Sequence, residues 1–367
     1  MTEENSRTSA LADRHTALGS ALEDWNGMGT AWTYNTDPDE EHNAIREAAG
    51  MIDMSGLKKI RVSGPDALET VNHSFSREMK NLQVGQSAYG VVLNEQGMTA
   101  DDAIVYVNEG EFLFVHGSGE SLELLQQSGQ GKDVNIHFDD DLHNISLQGP
   151  LSLEILNNHT PVNLSSLAYF HHHQTTLFDR PCHLSRTGYS GERGYELYVS
   201  AKDAVAIWDN ILEEGQSKGV MPASFTALDK ARIEAGLLFY GYDMTNEHSP
   251  FEVGLGWTMS KNKQNYRGYD AAMQTKNQPR FLNVGLDIQY SDGLAGGETI
   301  VIDGQEVGTI NSPGYSKRMQ KSLALGHIQP QFAASGTSVH IKGESEEYQA
   351  TIADLPFYDP QKTKTHS

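Results

Sequence analysis

The sequence predicts an α+β fold, on three observations. Strand-like and helix-like segments are mixed without the regular strand–helix–strand repeat that builds a doubly wound parallel sheet. Residues 87–119 alternate apolar and polar positions across two tight-turn signals, Asn94-Glu95-Gln96-Gly97 and Asn108-Glu109-Gly110, which marks an antiparallel meander. Beyond residue 280 the texture changes to short strands separated by Gly-rich turns, the pattern of a small all-β barrel.

The elements follow in chain order. Residues 1–40 are irregular, with one aromatic cluster at Trp25, Trp32 and Tyr34. EHNAIREAA (41–49) reads as a short helix stopped by Gly50. LKKIRVSG (57–64) alternates as a strand, and PDALETVNHSF opens a helix with Pro65 and Asp66. The meander strands are SAYGVVL, MTADDAIVYVN and EFLFVHG, followed by the helix SLELLQQSG. VNIHF and NISLQG are strands, PLSLEILNNH a helix, and residues 175–200 return to strand and turn. AKDAVAIWDNILEEG and SFTALDKARIEAG are helices with Gly at or after their ends. The polar stretch KNKQNYRGYDAAMQTKNQPR separates a region spanning 1–275, read as two interleaved α+β units, from a barrel domain at 280–367. Asp303-Gly304 is a hairpin signal within that barrel, and DPQKTKTHS reads as a frayed tail.

Composition limits what the chain does. At 367 residues it has material for more than one core. A net charge of −22 repels phosphate backbones and anionic lipid, so nucleic-acid or membrane-surface binding is disfavoured. The single cysteine, Cys182, excludes an internal disulfide and a multi-cysteine metal cluster. No stretch approaches the ~20 apolar residues of a membrane span, and the polar start MTEENSRTSALADRH lacks a signal core. The expectation is a cytoplasmic protein.

Two segments carry candidate chemistry. Asp101 and Asp102 are adjacent carboxylates at the entry to the apolar strand AIVYV. Strand neighbours face opposite sides, so one points inward, where loss of water strengthens its field. Such a carboxylate holds a cationic reaction centre or relays a proton. RTGYSGERGYELYV (186–199) packs three glycines around Tyr189, Glu192, Tyr195 and Glu196. A buried Glu196 is suited to accept two parallel N–H bonds from a flat amidine-like edge. His171, His172 and His173 cannot all aim at one metal from a regular element, and no metal motif accompanies them, so a solvated loop without metal is expected. Dinucleotide, P-loop and G-x-S-x-G templates are not matched.

Taken in order, IDMSGLKKIRVSGPDA, YGVVLNEQGMTADDAIVYV, ISLQGP, SRTGYSGERGYELYV, ARIEAGLLFYGYDMTNEHSPFEVGLGWTM and VGTINSPGYSKRMQKSLALGHI resemble the glycine cleavage T-protein (aminomethyltransferase) family across nearly the whole chain. The family includes tetrahydrofolate-dependent demethylases. The resemblance implies a three-part, cloverleaf-like fold with tetrahydrofolate in a central channel and a β-barrel as its last part. It implies transfer of a one-carbon unit from a small amine, an onium compound or a lipoyl-bound aminomethyl group. It places the catalytic aspartate on Asp102, with Asp101 as the alternate, and the pterin-anchoring glutamate on Glu196. Tyr89, Leu57, Val115, Tyr189, Arg232 and Trp257 fall where the family lines the folate pocket.

Three departures bear on the donor. Leu228 stands where the family's A-R-D segment has arginine, Gly56 and Leu57 replace His and Met, and Gly117 replaces an asparagine. A demethylase of dimethylsulfoniopropionate or of a betaine is the alternative; it would need an aromatic cation pocket, for which Trp25, Trp32 and Tyr34 are the candidates. A non-catalytic folate binder ranks low, because NKQNYRGYDA lacks the cysteine of that group. Partners are a small-molecule one-carbon donor or a lipoyl carrier protein.

Overall fold

The computed structural model describes residues 6–343 and 346–367. Strands Ser87–Leu93, Thr99–Asn108, Glu111–His116, Lys58–Ser63 and Asn135–Phe138 form a five-stranded antiparallel sheet in that spatial order. The meander turn forms as its residues require. Asn94 Oδ1 accepts the N–H groups of Gln96 (3.1 Å) and Met98 (2.9 Å), and Gly97 takes a left-handed φ of 75°. Alternation then sorts the side chains. Ala103, Val105 and Val107 pack against Val71 and Leu124 of helices Ala67–Ser74 and Ser121–Ser128. Asp102, Ile104 and Tyr106 point to the other face.

A second sheet runs in the order His172–Leu177, Arg180–Ser185, Gly194–Ser200, Leu142–Gln148, Gly50–Asp53, Met221–Pro222, with only the last pair parallel. Tyr195, Leu197 and Val199 pack in one cluster with Ile207, Trp208 and Ile211 of helix Ala201–Gly215. Glu196 and Tyr198 therefore face the other way, toward the first sheet. The two sheets meet where the Tyr106 and Tyr198 hydroxyls lie 3.1 Å apart.

The third part is a closed barrel, ordered Leu282–Ile288, Lys321–Ile328, Gln305–Ser316, Thr299–Ile302, Ser338–Lys342, Glu347–Ala353. Asp303 and Gly304 turn its hairpin with positive φ at both positions, 49° and 78°, as a two-residue hairpin loop demands. Helix Phe225–Glu234 docks the barrel: Glu234 accepts bonds from Ser316 (2.5 Å), His42 (3.0 Å) and Arg46 (2.7 Å). Burial alone would raise this carboxyl, but His42 and Arg46 hold it down at about 2. Its stabilising charge is thus present at neutral pH and is lost only as pH falls toward that value.

Three local readings change, and the boundary stretch gains detail. Residues 1–5 lie outside the described residues, and the rest of the irregular amino-terminal stretch contains helix Ala12–Ala17 and a hairpin, Glu23–Trp25 with Met28–Thr30. The polar boundary stretch holds helix Tyr269–Thr275, which packs through Ala272 beside Val91 and Leu93. His172 is not in a solvated loop: it starts a strand, buried against Tyr106 and His183 at 5.2 and 4.5 Å between ring centroids. The final segment is not frayed. Arg186 donates to the carbonyls of Thr365 (3.0 Å) and Ser367 (2.5 Å), and His366 packs edge-on against Tyr169.

Candidate active site

A cavity of about 560 Å³ lies between the two sheets and is closed by residues of the barrel and of the last segment. Of the residues singled out from the sequence, Asp102, Glu196, Tyr89, Leu57, Val115, Tyr189 and Trp257 all line it. Asp101 and Arg232 do not.

The register explains why these residues meet. Tyr89 pairs with Ile104, and Ile104 with Val115, so the three share one face with Asp102. The Tyr89 hydroxyl donates to Asp102 Oδ2 at 2.8 Å. Trp257 extends the wall beyond Tyr89, with ring centroids 6.1 Å apart, and is 63% exposed at the mouth. Burial, and then the charge of Asp101, push the Asp102 carboxyl up to about 7, against the pull of the Tyr89 hydrogen bond. Asp102 therefore exchanges a proton near neutrality while remaining a carboxylate above it.

Asp101 occupies the opposite face. Its Oδ2 accepts His116 Nδ1 (2.7 Å), Ser121 Oγ (2.5 Å) and Ser121 N–H (3.2 Å), and its Oδ1 accepts the Asp102 N–H at 2.9 Å. It pins the start of helix Ser121–Ser128 and the strand edge, which is a positioning task. Asp101→Asn should cost ~2–4 kcal/mol of stability by turning one acceptor into a donor. It should also lower the Asp102 pKa, because a neighbouring negative charge is lost. Melting temperature and the acid limb of the pH–rate profile check both effects.

Glu196 lies on the second sheet's inner face. Asn144 Nδ2 donates to its Oε1 at 2.9 Å and Thr187 Oγ1 to its Oε2 at 2.5 Å. The Tyr106 hydroxyl, 3.2 Å from Thr187 Oγ1, links this pair to Tyr198. Desolvation raises the Glu196 carboxyl above the ordinary range, opposed by Thr187 and Asn144. A half-partnered carboxylate in an aromatic slot fits a flat ring edge that brings two N–H donors.

Arg232 is buried beyond this cavity. It donates to Asp243 Oδ2 (2.6 Å), Asp229 Oδ1 (2.7 Å), the Leu237 carbonyl (3.2 Å) and Ser312 Oγ (2.8 Å). A second cavity of about 260 Å³ has it in its wall and shares Met54, Tyr189 and Phe239 with the first. Of the amino-terminal aromatics, Trp25 and Trp32 both pack on Phe225, Trp25 lining the large cavity and Trp32 the small one, while Tyr34 bonds His15 at 2.9 Å. Sequence reasoning missed Asn144, which reaches Glu196 from the paired strand, and Tyr106 and Tyr198, whose hydroxyls join the same network through Thr187. It also missed Tyr358, Lys362 and His366, which reach the mouth from the far end of the chain. Among the described residues no three His, Cys, Asp or Glu side chains converge as a metal site.

Two facing sheets, a terminal barrel and a carboxylate on each wall of one cavity define a three-part α+β protein. The model described as the GCVT N-terminal domain matches residues 11–263, and that of the glycine cleavage T-protein C-terminal barrel domain matches 283–359. The chain belongs to the glycine cleavage T-protein family. It is 45% identical over 369 residues to the heme-dependent oxidative N-demethylase gamma subunit of Ectopseudomonas mendocina, covering 98% of this chain and 97% of that protein. It is 33% identical to the trimethylamine-oxide aldolase of Ruegeria pomeroyi, over 97% of this chain but 47% of that protein, so it spans about half of that relative. An aminomethyltransferase of Streptomyces coelicolor is 31% identical over 97% of this chain and 98% of its own length. The glycine cleavage system aminomethyltransferase T of Bartonella henselae superposes with a TM-score of 0.90 at 25% identity, covering 96% of this chain and 98% of that one.

Proposed function

We propose that this protein is a tetrahydrofolate-dependent one-carbon transferase whose carbon comes from an N-methylated amine. The observation that carries the reading is the placement of Asp102 and Glu196 on opposite walls of one aromatic-lined cavity. Tetrahydrofolate supplies the nucleophilic nitrogens that accept the carbon. Glu196, oriented by Asn144 and Thr187, accepts from the N–H edge of the pterin and so fixes its depth. Tyr89, Leu57, Val115 and Tyr189 make the slot and exclude water. Asp102, steadied by Tyr89, faces the reacting carbon, would stabilise positive charge developing there and would relay a folate N–H proton to the oxygen that leaves as water.

The higher identity to an N-demethylase subunit than to an aminomethyltransferase supports a small amine-derived donor over a lipoyl carrier. A two-electron oxidation of the N-methyl group by a separate oxidoreductase leaves its carbon at the level of formaldehyde. Formaldehyde and tetrahydrofolate give methylenetetrahydrofolate and water, a balance that needs no further oxidant. We place the reaction in the cytoplasm; among the described residues no helix is long and apolar enough to cross a membrane.

The test is to supply the protein with tetrahydrofolate and either formaldehyde with dimethylamine, trimethylglycine or dimethylsulfoniopropionate, reading the folate by mass spectrometry. A methylene gain above the uncatalysed rate with formaldehyde is expected. A methyl gain from the sulfonium or betaine would replace this donor with that of the onium demethylases, and no gain from any donor would refute the reading.

A further inference from the structure

The second cavity is built differently from the first. Two aromatic pairs bound it, Trp32 with Phe225 at 5.3 Å between ring centroids and Phe239 with Tyr242 at 5.2 Å. Asp229 lies in its wall with a side chain 44% exposed. Asn311 also lines it, and its Nδ2 is buried without a hydrogen-bond partner. An orphaned amide donor costs roughly 1–3 kcal/mol unless something supplies an acceptor.

The electrostatics decide the sign of the occupant. Arg232 is the cation in the wall, but Asp229 and Asp243 both bond it, so the three charges leave a net negative site. The remaining Arg232 bonds go to Leu237 and Ser312. Leu228, rather than an arginine, completes the wall. Aromatic faces are electron-rich and attract an organic cation, most strongly where water is excluded. At about 260 Å³ the space lies just under the ~300 Å³ where drug-sized pockets begin, which suits a small molecule.

We infer that this second cavity binds a small N-methylated ammonium compound that carries an oxygen acceptor, of the N-methyl amino acid or betaine type. The methylated nitrogen sits among Trp32, Phe225 and Tyr242 beside Asp229, and the oxygen meets Asn311 Nδ2. The shared wall of Met54, Tyr189 and Phe239 sets this ligand next to the folate cavity. Its role as the donor-side subsite rests on the one-carbon reading above; the binding itself does not.

Calorimetry on the full chain tests it with three probes: trimethylglycine, tetramethylammonium and 3,3-dimethylbutanoate, the carbon isostere of trimethylglycine without its positive charge. Saturable binding of trimethylglycine is expected, with the isostere at least tenfold weaker. Tyr242→Ala and Asp229→Asn should each weaken trimethylglycine roughly fivefold or more. Asn311→Ala should weaken trimethylglycine and leave tetramethylammonium unchanged. Binding of 5-formyltetrahydrofolate to the same three variants should stay within about twofold of the parent, which also shows that they fold. No saturable heat with trimethylglycine, equal binding of the isostere, or indifference to all three substitutions would overturn the site. Cation binding without folate binding would keep the site and sink the proposed function; folate binding without cation binding would do the reverse.

Discussion

Asp102→Asn is expected to lower turnover by a factor of 10² or more while leaving folate affinity within a few-fold of the parent. The substitution keeps the shape of the side chain and a partner for the Tyr89 hydroxyl, so the slot is undisturbed. What it removes is the negative charge facing the reacting carbon and the carboxylate that would relay the folate N–H proton. The pH dependence separates this from a structural role. With Asp102 pushed up to about 7, the parent's kcat/KM should fall about tenfold per pH unit below that value, because protonation extinguishes the active form. The residual rate of the variant should lack that limb. Stability supplies an independent sign. A carboxyl whose folded-state pKa is raised binds protons more readily than its unfolded counterpart, so the fold loses stability as pH rises from about 4 through about 7. Asp102→Asn should therefore be more stable than the parent at pH 8, by up to about 4 kcal/mol, and equal to it near pH 4. A variant with near-normal turnover, or one less stable at pH 8, would remove Asp102 from its assigned place.

How much of this was readable beforehand depends on the range of the interaction that fixes it. Period-two alternation is local, so the meander and the opposed directions of Asp101 and Asp102 follow from TADDAIVYV alone. The barrel hairpin at Asp303-Gly304 is likewise a matter of two residues that tolerate positive φ. The partners of Glu196 were hidden because they depend on strand pairing: Asn144 lies opposite Tyr198 and Ser146 opposite Glu196, a register that no window of sequence contains. Arg232 lies in the wall of the second cavity rather than the first for a related reason. Its motif position puts it near the folate region, but the four acceptors that surround it come from Asp229, Leu237, Asp243 and the barrel residue Ser312, and they draw it into the second cavity. The last segment looked frayed because its residues are polar. Its order comes from Arg186, 181 positions away.

Glu196→Gln is expected to weaken tetrahydrofolate binding by roughly 10- to 100-fold, the value of one or two charge-assisted hydrogen bonds at about 1.5–3 kcal/mol. The parent carboxylate receives one bond each from Asn144 and Thr187, which leaves lone pairs on both oxygens for the pterin edge. Glutamine keeps the volume but has one acceptor oxygen instead of two, and its amide presents donors to donors. The Thr187 hydroxyl can rotate to accept from that amide, so the unliganded protein has a way to adapt, whereas a pterin N–H has none. Burial raises this carboxyl, so holding it ionised costs the fold stability that the neutral amide restores. The variant should thus melt at or above the parent's temperature at pH 8 while binding folate less well, a divergence that simple damage to the fold cannot produce. For the same reason the parent's affinity should fall on acidification at a higher pH than an ordinary glutamate would give. Titration of both proteins with 5-formyltetrahydrofolate at two pH values, beside thermal denaturation, reads all of this. Unchanged affinity in Glu196→Gln would mean that the pterin edge finds its acceptor elsewhere in the cavity.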